Sequence, residues 1–216
     1  MADRQGILAY IPGPAKFGKY LYELRYFLGI VVTLFLLAMV LGYIVNETSP
    51  DTAKSLLSGL QDKASELSDQ PPLLMMLGIF ANNVFGALVA LVFGLAAGIF
   101  PLFFVISNGM VVGVVLQMLV AKLGAGMGVL VFLLGILPHG IFELPAIFIS
   151  TAIGLKLGYL VIVSIIKRRD LFTGELLNGL LIFLFWVVPM LLVAAAIETF
   201  VTGAVVGQLM PASVLK

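Results

Sequence analysis

The sequence predicts an all-α fold: a polytopic transmembrane helical bundle of about five spans, with a re-entrant or interfacial half-helix and an extramembrane amphipathic helix. Three observations carry this expectation. Hydrophobic residues fill 62% of the 216 positions, charged residues fill 11%, and mean hydropathy is +1.18, a balance far from that of soluble domains. Apolar runs that reach the ~20 residues needed to cross a bilayer recur along the chain. Lys and Arg gather in short groups beside those runs, the pattern that orients spans. The absence of cysteine removes disulfides, thiolate nucleophiles and Cys-based metal sites from consideration. The formal charge of +1 describes no single surface, because its contributions fall on opposite sides of a membrane.

Residues 1–26 read as a cytoplasmic amphipathic segment carrying Arg4, Lys16, Lys19 and Arg25. After Gly13-Pro14, the residues Phe17, Tyr20, Leu21 and Leu24 recur at helical spacing. That spacing predicts a short interfacial helix with Tyr10, Tyr20, Tyr22 and Tyr26 as anchors. Span one, residues 27–45, is too long for the apolar core of a cleavable signal. Residues 46–72 form an outer segment in which Ser49 stands where a cap belongs and Pro50 suits the first helical position. Ala53, Leu56, Leu57, Leu60, Ala64 and Leu67 share one face of it. Its polar face is net acidic, so packing on this protein, a second copy or a partner would hold it, rather than attraction to anionic lipid.

Residues 73–166 form the motif-bearing membrane core. Span two covers 73–100 and is expected to end at Pro101, whose missing N–H would turn the chain into span three, 102–121. The apolar stretch 128–166 would measure roughly 58 Å as one helix at 1.5 Å per residue, too long for one crossing. Pro138, Gly140 and Pro145 supply the expected helix break, which leaves a re-entrant or interfacial segment at 128–137 and span four at 139–160. A six-span division, 128–149 and 153–166, would put Lys167-Arg168-Arg169 outside, against the charge bias. A basic loop, 167–176, then leads to the last span and an outer tail, 177–216. Five spans place the N-terminus in the cytoplasm and the C-terminus outside the cell membrane.

Polar residues inside these runs mark candidate sites. His139, the only histidine, precedes Glu143 by four residues, so on one helix the two share a face. Ionisable groups at membrane depth cost several kcal/mol and persist where they are partnered or used. Pro145 leaves the Ile141 carbonyl without its helical donor, and Gly140 gives room for close approach. Asn82, Asn83 and Asn108 are amides in hydrocarbon that either join helices or share a cavity with His139. Glycine pairs at four-residue spacing, Gly94 with Gly98, Gly109 with Gly113, Gly154 with Gly158 and Gly203 with Gly207, predict close helix crossings. One histidine and one acid fall short of the three protein ligands of a usual zinc site. Glu198 could add a ligand, but no second histidine exists. No catalytic residue, metal or cofactor is therefore expected, and the basic residues offer no platform for nucleic acid.

The string Pro138-His139-Gly140-Ile141-Phe142-Glu143-Leu144-Pro145-Ala146, with Gly154 following, resembles the signature of the stage II sporulation protein M family of multi-spanning membrane proteins. Asn82-Asn83, Pro101 and Asn108-Gly109 with Gly113 resemble its pattern too, so the likeness runs over residues 73–158. The resemblance implies importance for Asn82, Asn83, Asn108, Gly109, His139, Glu143 and Pro145. In spore-forming bacteria it implies a scaffold that helps organise a peptidoglycan-degrading complex whose partners supply the catalysis. Sporulation itself does not transfer, because related sequences occur in organisms that form no spores. The leading expectation is thus a non-enzymatic integral membrane scaffold, a homo-oligomer with membrane or cell-envelope protein partners in the lipid bilayer. A channel or transporter with a polar site at His139 and Glu143 is the alternative, and a metal-dependent intramembrane hydrolase is the third.

Overall fold

A computed structural model describes residues 11–202, apart from the side chains of residues 56, 59–64 and 68. Six helices follow in order: α1 (Pro14–Thr48), α2 (Pro50–Ser68), α3 (Pro72–Val92, extended by a 3₁₀ turn Phe93–Leu95), α4 (Ile99–Leu123), α5 (Ala125–Lys167) and α6 (Thr173–Thr202). No strand occurs among the described residues. Pro14, Pro50 and Pro72 open the first three helices, where the missing N–H would have had no helical acceptor. All but α2 are long and apolar enough to cross a membrane.

The centre of the bundle is α5, which packs against each of the other four spanning helices. Its Ala146, Ile149, Ile153 and Leu157 meet Tyr20 and Leu24 of α1, Ala87 and Leu91 of α3, and Ile182, Phe183, Val187 and Leu191 of α6. A second cluster joins Val31 and Phe35 of α1 to Val105 of α4 and Ala152 of α5. In lipid, apolar burial drives little of this association, so close van der Waals contact must do so. The glycine pairs supply it. A methyl group added at Gly154 would fall within the backbone of Ala90, and one at Gly94 within that of Gly154. Gly158 meets Ala97 and Gly98 in the same way, and Gly113 meets the Met39 carbonyl of α1. Gly203 and Gly207, with Arg4 and Tyr10, lie outside the described residues.

Four expectations need correction. The helix break at Pro138, Gly140 and Pro145 does not form: α5 is one helix of 43 residues with both prolines inside it, and 128–137 is no separate half-helix. At 1.5 Å per residue it extends about 64 Å, beyond the ~30 Å hydrocarbon layer. Each proline removes one hydrogen bond, from Leu134 or Ile141, whereas a true break would strand several backbone groups in apolar surroundings. The turn between α3 and α4 is made by Ala97 and Gly98, whose φ values of 55° and 74° lie in the left-handed region, and Pro101 sits inside the first turn of α4. The N-terminal amphipathic stretch is the start of α1 itself, and its Tyr20 and Leu24 are buried in the bundle. Finally, the Ser49 side chain makes no capping hydrogen bond to α2.

The apolar face of α2 is used internally: Ala53 and Leu57 bury against Val114 of α4, flanked by Val111, Val115 and Met118. Of Leu56, Leu60 and Ala64, only the backbone is described.

Candidate functional site

A polar cluster forms where α5 meets residues 198–202 of α6. Because α5 is unbroken, His139 and Glu143 stand one turn apart on one face, with Nε2 of the imidazole 3.9 Å from Oε2 of the carboxylate. Their side chains retain 14% and 20% exposure. The last described turn of α6, Glu198–Thr202, widens into a π-helix, a feature that frequently coincides with functional sites. It delivers two polar side chains. Thr202 Oγ1 lies 3.2 Å from His139 Nδ1, and Glu198 completes a triad in which one ligand atom each from His139, Glu143 and Glu198 lies within 4.8 Å of the others.

A cavity of about 100 Å³ adjoins the cluster, lined by His139, Gly140 and Glu143 together with Asn108 and Val112 of α4 and Phe35 of α1. The Asn108 Nδ2 donates to the Phe104 carbonyl at 2.8 Å, so the amide is held by its own helix and its Oδ1 remains as an acceptor. Two carboxylates thus face one imidazole, and among the described residues no Lys or Arg forms an ion pair with either acid. In low dielectric such an excess of negative charge demands protons or a cation.

Of the five polar residues marked in the sequence, the structure brings together His139, Glu143 and Asn108. Asn82 is exposed, its Nδ2 within 3.5 Å of the Asn83 Oδ1, and neither amide lines the cavity. Glu198 had a usable signal, as the only charged residue between 177 and 202. Thr202 had none.

A second polar group escaped the sequence reading. Lys156 of α5 pairs with Glu175 of α6 at 2.9 Å, both largely buried, and the Tyr20 hydroxyl of α1 donates to the same carboxylate at 2.6 Å. Near the other end, Asn46 of α1 donates to Gln117 of α4. Both groups join helices distant in sequence.

Residues 31–203 match the model of a protein family described as stage II sporulation protein M. No curated protein and no solved structure matches the chain.

Proposed function

Because the chain belongs to the stage II sporulation protein M family and is a multi-pass membrane protein, we propose that it serves as a non-enzymatic scaffold in the cell membrane, holding protein partners in fixed relation. The observation that carries this reading is the backbone-close crossing of α3, α4 and α5, where Gly94 faces Gly154 and Gly98 faces Gly158. Packing of that kind makes a stiff frame and leaves little freedom for the rocking that alternating access requires. The frame also presents α2, whose apolar residues Ala53 and Leu57 are satisfied internally while Asp51, Glu66 and Asp69 remain exposed on a net acidic polar face.

The test is site-specific photocrosslinking in native membranes from exposed position 58 of α2. A scaffold gives one reproducible partner, a second copy of the chain or an envelope protein, and charge reversal at Asp51, Glu66 and Asp69 removes it. Absence of any reproducible adduct, with no phenotype on deleting residues 50–69, defeats the proposal.

The cavity beside His139 favours a second reading, a channel or transporter whose polar path includes His139 and Glu143. Reconstituted vesicles decide it. Flux must fall in Glu143→Gln and His139→Ala, and unchanged or absent flux across a panel of ions removes this reading.

A further inference from the structure

We propose that His139, Glu143 and Glu198 form a binding site for one divalent cation of the zinc or manganese class, which joins the middle of α5 to the last described turn of α6. The donor set is the first ground. One imidazole nitrogen and two carboxylates are ligands that such ions accept, and here they converge to within 4.8 Å.

The second ground is how the ring is held. At 3.9 Å, His139 Nε2 and Glu143 Oε2 are too far apart for a hydrogen bond. Two ligands of one ion, each bonded at about 2.0–2.2 Å, stand up to about 4.4 Å apart, so small side-chain rotations suffice to close the shell. The other ring nitrogen, Nδ1, is 3.2 Å from Thr202 Oγ1. With Nδ1–H donating to that oxygen, the Nε2 lone pair is turned toward the carboxylates. A ligating histidine is ordinarily fixed in this way, with its second nitrogen donating to an outer partner.

Charge and space agree. A doubly charged ion, two carboxylates and a neutral imidazole sum to zero, the arrangement least costly at membrane depth. The adjoining cavity of about 100 Å³ has room for a water molecule in an open position, and Asn108 lines it. Binding forms three protein–metal bonds and breaks bonds from the ion to water, and any proton on the acids leaves to solvent. This inference is independent of the scaffold reading, since metal uptake and partner capture are separate measurements.

The experiment uses the full chain, purified in detergent and stripped with a chelator. Co²⁺ is titrated and followed by visible absorption, and Zn²⁺ and Mn²⁺ by calorimetry with proton release recorded. One ion per chain is expected, with uptake releasing protons. His139→Gln and Glu198→Gln should lower affinity by at least the ~10–100-fold that an outer partner contributes, and Thr202→Val, which keeps all three ligands, should lower it about tenfold. Failure to take up one equivalent of any of the three ions overturns the proposal. So does unchanged affinity in a folded Glu198→Gln. If the ligand variants do not fold, Thr202→Val decides, and wild-type affinity there also overturns it.

Discussion

At the scale of single residues, groups whose chemistry conflicts with their surroundings have the most measurable effects. Thr151 of α5 is fully buried and its hydroxyl has no hydrogen-bond partner among the described residues. Replacing it with the isosteric valine removes that cost, so Thr151→Val should raise stability by about 1 kcal/mol, seen as a higher midpoint on thermal unfolding in detergent. Asp170, in the loop before α6, behaves oppositely. Hydrogen bonds from the Thr173 side chain and backbone and from the Phe172 backbone hold its carboxyl below the usual aspartate range. A lowered folded value means that its contribution is fully present above the ordinary aspartate value of about 3.9 and fades as pH falls through the folded one. Unfolding midpoints measured from pH 6 downward should therefore drop in wild type, while Asp170→Asn should start lower and lose this component. Legibility at this scale followed isolation. His139 and Glu143 stood out as ionisable residues in an apolar run, and Glu198 and Lys156 carried the same signal. Thr202 could not stand out, because a threonine is unremarkable in a membrane helix and its value lies in whom it meets.

Between elements, two ties bind α5 to its neighbours by different physics. The first is the Lys156–Glu175 pair with Tyr20, which gathers α1, α5 and α6. Removing the lysine leaves the largely buried Glu175 carboxylate without its counter-charge, held only by the Tyr20 hydroxyl, so Lys156→Met should cost about 3–5 kcal/mol, and the double replacement Lys156→Met with Glu175→Leu should recover part of it. A single variant as stable as wild type would show the pair to be idle. The second tie is steric. Any side chain at position 154 meets the Ala90 carbonyl and the Pro101 ring, and backbone cannot yield as a flexible side chain would. Gly154→Ala should thus lower stability by about 1–3 kcal/mol. The spacing of these glycines was readable in the sequence. The continuity of α5 was hidden because Pro138 and Pro145 announce a break in isolation, and only the neighbours packed along the helix make one lost hydrogen bond at each proline tolerable.

For the molecule as a whole, the sequence made the membrane class and the five spans plain, since composition and run length are physical requirements of a bilayer. Which helices touch was illegible, because small residues permit a crossing without naming its partner. Orientation is a prediction: with no native cysteine to interfere, a membrane-impermeant maleimide should label Ser58→Cys on intact cells and Arg169→Cys only after permeabilisation. The reverse pattern would invert the proposed topology.

The contact between α1 and α4 also sets a schedule. Its two faces, around Phe35–Met39 and Gly109–Gly113, are separated in the chain by all of α2 and α3. At about 5–20 residues per second on the ribosome, α1 spends several seconds in the bilayer before its mate is made. During that interval Gly42, which later receives the Met110 backbone, leaves its side of α1 without the neighbour it is shaped for, so α1 reaches its final packing only after α4 has been inserted.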